Sequence, residues 1–61
     1  MEVDIDINKV TNIEAHNEGD GLYTICVSFK NEDFMVYGYD NLKSLMKDYT
    51  KLREEFNEEQ N

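Results

Sequence analysis

The chain has 61 residues, and its 14 acidic residues against six basic ones give a formal net charge of −8 at pH 7. This charge disfavours direct binding to nucleic acid or to an anionic membrane, because both require clustered Lys and Arg side chains. The single cysteine and single histidine exclude an intramolecular disulfide and a structural zinc site built from Cys and His.

The first predicted element is a strand over residues 2–16, where apolar side chains alternate with polar ones from Val3 onward. This period of two is typical of a strand with one solvated face. Val10 falls on the polar side of the alternation and indicates a bulge or kink around it. Gly19 and Gly21 can both take positive φ, so they predict a turn into the second strand.

Two further strands are predicted over residues 22–30 and 33–39, which are rich in β-branched and aromatic side chains. A two-residue loop between them would place Phe29 opposite Phe34. The strongest apolar side chains would then share one face of the sheet. Three residues of the third strand would lie on the opposite face, available to a partner: Met35, Tyr37 and Tyr39.

A helix is predicted over residues 41–57, with Asp40 or Asn41 as its N-cap and a loose tail over residues 58–61. Apolar residues recur here with helical spacing along one stripe: Leu42, Leu45, Met46, Tyr49, Leu52 and Phe56. The apolar stripe would cover the sheet and close a two-layer core. The predicted fold is therefore a single α+β domain with a three-stranded antiparallel sheet followed by one C-terminal amphipathic helix.

The residues that could support chemistry do not form a recognisable site. His16 is expected in a turn and Cys26 near the middle of a strand, too far apart for a nucleophilic pair. Asp4, Asp6 and Asn8 have the spacing of the first ligands of a calcium loop, but the required glycine and glutamate do not follow them. We therefore expect a non-enzymatic protein without catalytic residues, metal or cofactor.

Negative charge is concentrated in the predicted sheet. Nine of the 14 acidic residues precede residue 41, together with only two lysines. Outward side chains on a strand recur about every 6.6–6.8 Å, so carboxylates at alternate positions would form a row with nearly fixed spacing. The residues predicted to make up this surface are Glu2, Asp4, Asp6, Glu14, Glu18 and Asp20.

A rigid array of carboxylates can occupy a groove that binds phosphates, since Lys and Arg in such a groove respond largely to sign and spacing. In size and charge the chain is similar to bacteriophage inhibitors of uracil-DNA glycosylase and to some anti-CRISPR proteins, which imitate DNA in this way. The function predicted by this similarity is inhibition of a basic or nucleic-acid-binding protein. Met35, Tyr37 and Tyr39 would act as apolar anchors beside the carboxylates.

Other interpretations are a homo-oligomeric structural or adaptor module, in which the acidity serves solubility, and a small regulatory subunit that binds a basic tail. The first strand is expected to extend beyond the second, so that Val3, Ile5 and Ile7 are left unpaired. A homodimer formed by strand exchange or β-augmentation would cover them, and so would folding of this segment back beside the third strand. The start of the chain has neither a basic region nor a long apolar run, so we expect a cytoplasmic protein that does not enter a membrane.

Overall fold

The computed structural model of the chain describes residues 5–60. Its elements in chain order are a 3-10 helix (Ile7–Lys9), β1 (Val10–Gly19), β2 (Leu22–Phe29), β3 (Phe34–Tyr39) and α1 (Leu42–Gln60). The strands form one antiparallel sheet in the order β1-β2-β3, and α1 packs against one of its faces. The predicted α+β class, with three strands followed by a C-terminal helix, is confirmed.

The first strand begins at Val10, much later than predicted. A 3-10 helix precedes it, and Asp6 caps this helix by accepting a hydrogen bond from the backbone amide of Asn8 (3.2 Å). The register of β1 shifts between Val10 and Asn12, and Val10 is buried against α1. The predicted irregularity around Val10 is therefore confirmed, whereas the strand predicted over residues 5–9 is wrong. Residues 2–4 lie outside the described part of the chain.

The pairing of β2 with β3 differs by one residue from the predicted register, because Phe34 lies opposite Ser28 instead of Phe29. Four residues connect the two strands, two more than predicted. The amide of Phe29 donates to the carbonyl of Asp33 at 2.9 Å, and Glu32 takes a left-handed φ of 72°. Since successive side chains of a strand point to opposite faces, a shift of one residue moves every side chain of β3 to the other face.

This shift corrects the predicted position of the aromatic residues of β3. Tyr39 is 9% exposed and belongs to the core, and Tyr37 is half-buried against it. Met35 lies on the same side of the sheet, although it is exposed near the end of the strand. The uncovered face instead carries Phe34 and Val36, which are 67% and 55% exposed. The prediction that Met35, Tyr37 and Tyr39 lie on the uncovered face is wrong.

The core lies between α1 and the sheet, and its buried residues are Val10, Ile13, Ile25, Val27, Tyr39, Leu45 and Leu52. Ile5 and Ile7 are half-buried and pack against this cluster. Because they contact the core, the expectation that they project as an unpaired strand end is wrong. Val3, the third residue of that expectation, lies outside the described residues.

Helix α1 begins after Asn41, whose side-chain oxygen accepts a hydrogen bond from the amide of Ser44 at 2.8 Å. The helix continues to Gln60, so the tail predicted to be loose is helical as far as that residue. Leu45 and Leu52 of the predicted stripe are buried, whereas Leu42 and Met46 are about half exposed.

Replacing Asn41 with alanine is expected to destabilise the domain by about 1 kcal/mol, because it removes the cap from the first turn of α1. Asp40→Ala is the matched control. The Asp40 carboxylate accepts only an exposed bond from the Asn41 side chain, at 3.2 Å, so a smaller loss is expected. Urea unfolding followed by circular dichroism measures both changes. Equal losses would contradict the assignment of Asn41 as the cap.

Candidate interaction surface

The uncovered face of the sheet is the main surface available to a partner. We call it the open face, and its residues are Asn12, Glu14 and His16 of β1, Thr24, Cys26 and Ser28 of β2, and Phe34, Val36 and Gly38 of β3. The three β2 residues are half-buried between their neighbours, while those of β1 and β3 are exposed. The open face is thus polar and acidic along β1, and apolar along β3.

The predicted acidic residues do not form one continuous row. Glu2 and Asp4 lie outside the described residues. The other four are exposed: Asp6, Glu14, Glu18 and Asp20. Asp6 precedes β1 and Asp20 sits in the turn after it with a φ of 53°, so these two mark opposite ends of the strand. The expected strand spacing therefore fails for Asp6, and the carboxylates are spread along the length of the sheet.

Besides Asp40, which accepts from the side chain of Asn41, three carboxylates of the sheet half accept hydrogen bonds from neutral donors. They are Asp6, from the amide of Asn8 (3.2 Å), Glu18, from the hydroxyl of Thr24 (3.1 Å), and Asp33, from the side-chain amide of Asn31 (2.9 Å). We call them the anchored carboxylates. A neutral donor restricts the position of a carboxylate without cancelling its charge. These groups are therefore anions of restricted mobility on the protein surface.

Comparisons of the chain with protein-family models, with curated proteins and with solved structures find no match.

The part of the chain that the structure describes contains no group of three or more His, Cys, Asp or Glu side chains placed to hold a metal ion. Within that same part, no helix is both long and apolar enough to cross a membrane. His16 and Cys26 both lie on the open face, where His16 is paired with Thr24 and Cys26 with Glu14 of the neighbouring strand.

One polar pair links the sheet to the helix. The hydroxyl of Tyr39 donates to the carboxylate of Asp48 at 2.7 Å, in a half-buried position. Burial, followed by the hydrogen bond to Asp48 and by its negative charge, raises the pKa of the Tyr39 phenol. A tyrosine is already protonated at neutral pH, and the raised pKa moves this phenol further from the pH range in which acid–base catalysis would use it. The pair therefore connects β3 to α1 and serves the fold.

A shallow groove lies next to this pair, with a volume of about 300 Å³, and is lined by Gly38, Tyr39, Asp40, Ser44, Lys47 and Asp48. A second groove, of about 260 Å³, lies between the end of β1 and the start of α1. It is lined by Ala15, His16, Asn17, Tyr23, Leu42, Leu45 and Met46. Both grooves are wide open to solvent, so neither provides the enclosed site that small-molecule binding usually requires.

Two exposed apolar residues, Phe34 and Val36, were missed by the sequence analysis as members of the candidate surface. The alternation along β3 is correct, but its assignment to a face depends on the length of the preceding loop. Asp33 is not among the six residues predicted for the acidic surface, yet its bond to Asn31 makes it one of the anchored carboxylates. An Asn two residues before an Asp is a weak signal for such a local bond.

Proposed function

We propose that the protein is a non-enzymatic inhibitor that binds a basic, nucleic-acid-binding protein by presenting carboxylates in place of phosphates. The anchored carboxylates are the observation that carries this proposal. Each keeps its charge and is held by a neutral donor, so little conformational freedom is lost when a cationic groove closes on it. We also propose a cytoplasmic location, where such partners occur.

The distribution of charge supports the same function. All the described carboxylates of the sheet half are exposed: Asp6, Glu14, Glu18, Asp20, Glu32, Asp33 and Asp40. Lys9 and Lys30 are the lysines on the same half of the chain. The fold is 35 Å long in its greatest dimension, close to one turn of B-DNA at about 34 Å. Since Asp6 and Asp20 lie at opposite ends of β1, a groove that follows the DNA backbone would meet carboxylates at both ends of the sheet.

Apolar anchors would complement the charged contacts. Phe34 and Val36 take the role that the sequence had suggested for Met35, Tyr37 and Tyr39, because they are exposed on the open face. Buried aromatic side chains at the centre of an interface commonly contribute a large part of the binding energy.

The test compares two triple variants that change the net charge equally. The first neutralises the anchored carboxylates (Asp6→Asn, Glu18→Gln and Asp33→Asn), and the second neutralises three acids of α1 (Glu54→Gln, Glu55→Gln and Glu58→Gln). Immobilised proteins are used to capture partners from a cell lysate. Elution with duplex DNA then measures whether DNA and the protein compete for the same site.

The first variant, which lacks the anchored carboxylates, is called the sheet variant, and the second is called the helix variant. The sheet variant is expected to bind the captured protein about tenfold more weakly than the wild type, since exposed ion pairs contribute about 0.2–1 kcal/mol each. The helix variant should bind within about twofold of the wild type. Binding by the wild type should also weaken steeply between about 50 and 200 mM salt. Equal losses in both variants, or capture of a protein that binds DNA at the same time, would refute the proposal.

A further inference from the structure

The two edges of the sheet differ in how they are protected against pairing with another chain. The β1 edge carries Glu14 and His16, and its register shifts twice along the strand. Charged side chains and bulges are the common means by which proteins block an edge. The β3 edge, Phe34–Tyr39, has no charged residue, no proline and a regular register with β2. Among residues 5–60 no strand pairs with this edge, so it is open to a further strand.

The backbone of β3 offers a defined set of hydrogen-bonding groups. The carbonyl of Asp33 accepts from the amide of Phe29 and therefore faces β2, while the amide of Asp33 donates to the side chain of Asn31 within the loop. These groups alternate in direction along an antiparallel strand. The amides and carbonyls of Phe34, Val36 and Gly38 consequently face away from β2 and toward the free edge.

We propose that β3 pairs antiparallel with β3 of a second copy of this chain, with Val36 opposite Val36 at the two-fold axis. In this register Phe34 of each copy lies opposite Gly38 of the other. All the outward-facing backbone groups then find partners, because the residues on one edge meet the corresponding residues on the other. The result is a six-stranded sheet with both helices on one side and a continuous open face on the other.

The side chains at this edge are complementary in the proposed register. Phe34 is 67% exposed, while a Cβ placed on Gly38 would meet no atom within 4 Å. The glycine thus leaves free space on the open face, and an aromatic ring on the opposing strand can cover it, as it does in other sheets with edge glycines. Val36 would meet its own counterpart at a pair position that favours β-branched residues.

A second copy also fits the charge and size of the edge. The chain carries a net charge of −8, but Phe34–Tyr39 itself is uncharged, so like charges oppose each other only beyond the ends of the strand, where Glu32 of each copy comes opposite Asp40 of the other. Six residues make an edge of about 20 Å. An edge of this length is shorter than a standard interface of roughly 1,200–2,000 Å² needs, so we expect a weak dimer that forms only at raised protein concentration.

Sedimentation velocity over a range from a few to several hundred micromolar tests this proposal. The wild type should pass from monomer to dimer with rising concentration. Val36→Lys and Val36→Glu should each weaken the dimer at least tenfold, because like charges then oppose each other at the two-fold axis. An equimolar mixture of the two variants should recover dimerisation, since lysine then opposes glutamate. Leu42→Lys is the matched control, with 52% exposure on the helix, and should dimerise as the wild type does.

Added salt provides an independent readout. Screening reduces the repulsion between two anionic chains, so the dimer should strengthen with salt, whereas binding to a basic partner should weaken. A wild type that stays monomeric at the highest concentration would overturn the proposal. So would Val36 variants that dimerise as well as the Leu42→Lys control, or a mixture that shows no recovery.

Discussion

Replacing Ile25 with alanine is expected to leave most of the chain unfolded at 37 °C. Ile25 lies at the centre of the middle strand with 0% exposure. Shortening a buried isoleucine to alanine costs about 2–5 kcal/mol, because transfer energy is lost and a cavity remains. At about 0.05–0.15 kcal/mol per residue, a domain of 61 residues has a free energy of unfolding of roughly 3–9 kcal/mol. One substitution can therefore remove most of the stability.

Far-ultraviolet circular dichroism during thermal and urea unfolding measures this loss. Ile25→Val is expected to cost only about 0.5–1.5 kcal/mol, since one methylene is removed. Leu22→Ala, at the exposed end of the same strand with 48% exposure, should cost less than Ile25→Ala. Equal unfolding midpoints for Ile25→Ala and Leu22→Ala, in temperature or in urea, would contradict the position of Ile25 in the core.

The order and type of the main elements could be predicted because local patterns and tertiary burial agree. Ile25 and Val27 are two residues apart on β2, as the alternation of a strand requires, and both are buried. Ile13, an inward position of the alternation predicted for the first strand, is buried as well. Gly19 and Gly21 take φ values of 88° and 77° in the turn between β1 and β2, which only glycine adopts at little cost. At these positions the sequence is compatible with few other local structures.

The face of β3 could not be predicted because it depends on one loop conformation. Glu32 adopts a left-handed φ of 72°, which is uncommon for a residue other than glycine. Nothing in its side chain signals this conformation, and Asn31 and Asp33 stabilise the loop through their own hydrogen bonds. The resulting shift of the strand register by one residue places Val36 on the open face, where Tyr37 had been predicted.

The predicted start of the first strand was wrong for a different reason. Ile5 and Ile7 satisfy the alternation of a strand, but a side chain that caps a backbone amide offers the chain another local structure. Asp6 does this for Asn8, and the following 3-10 turn brings both isoleucines against the core. Alternation over three residues cannot distinguish a strand from a capped 3-10 turn. Asp6 therefore lies before β1 and not on the strand where it was predicted.

Replacing Tyr39 with phenylalanine is expected to destabilise the domain at neutral pH and to remove part of its sensitivity to alkali. The variant loses the 2.7 Å bond to Asp48. Since Asp48 is only half-buried, the cost should lie near the lower end for a bond to a charged group, about 1.5 kcal/mol.

The pH dependence follows from the raised pKa of Tyr39 in the folded protein. In the unfolded chain a tyrosine deprotonates near pH 10, whereas folded Tyr39 still holds its proton there. The stability that the protonated Tyr39 phenol adds to the folded protein is therefore fully present below about pH 10. It is lost as the pH rises further, and the free energy of unfolding falls by at most about 1.4 kcal/mol per pH unit. Tyr39→Phe lacks this loss, so the stability advantage of the wild type over the variant should begin to shrink at about pH 10 and should vanish near pH 11.

Urea unfolding at several pH values measures that difference directly, and effects of the lysines and of total charge are common to both proteins. Tyr23→Phe is the matched control, because it removes a phenol from the neighbouring strand and leaves the Tyr39–Asp48 bond in place. The control should keep the alkaline loss of the wild type. A constant difference between wild type and Tyr39→Phe across this range would mean that the Tyr39 phenol loses its proton equally easily in the folded and unfolded chain, against the burial and the bond to Asp48 seen in the fold.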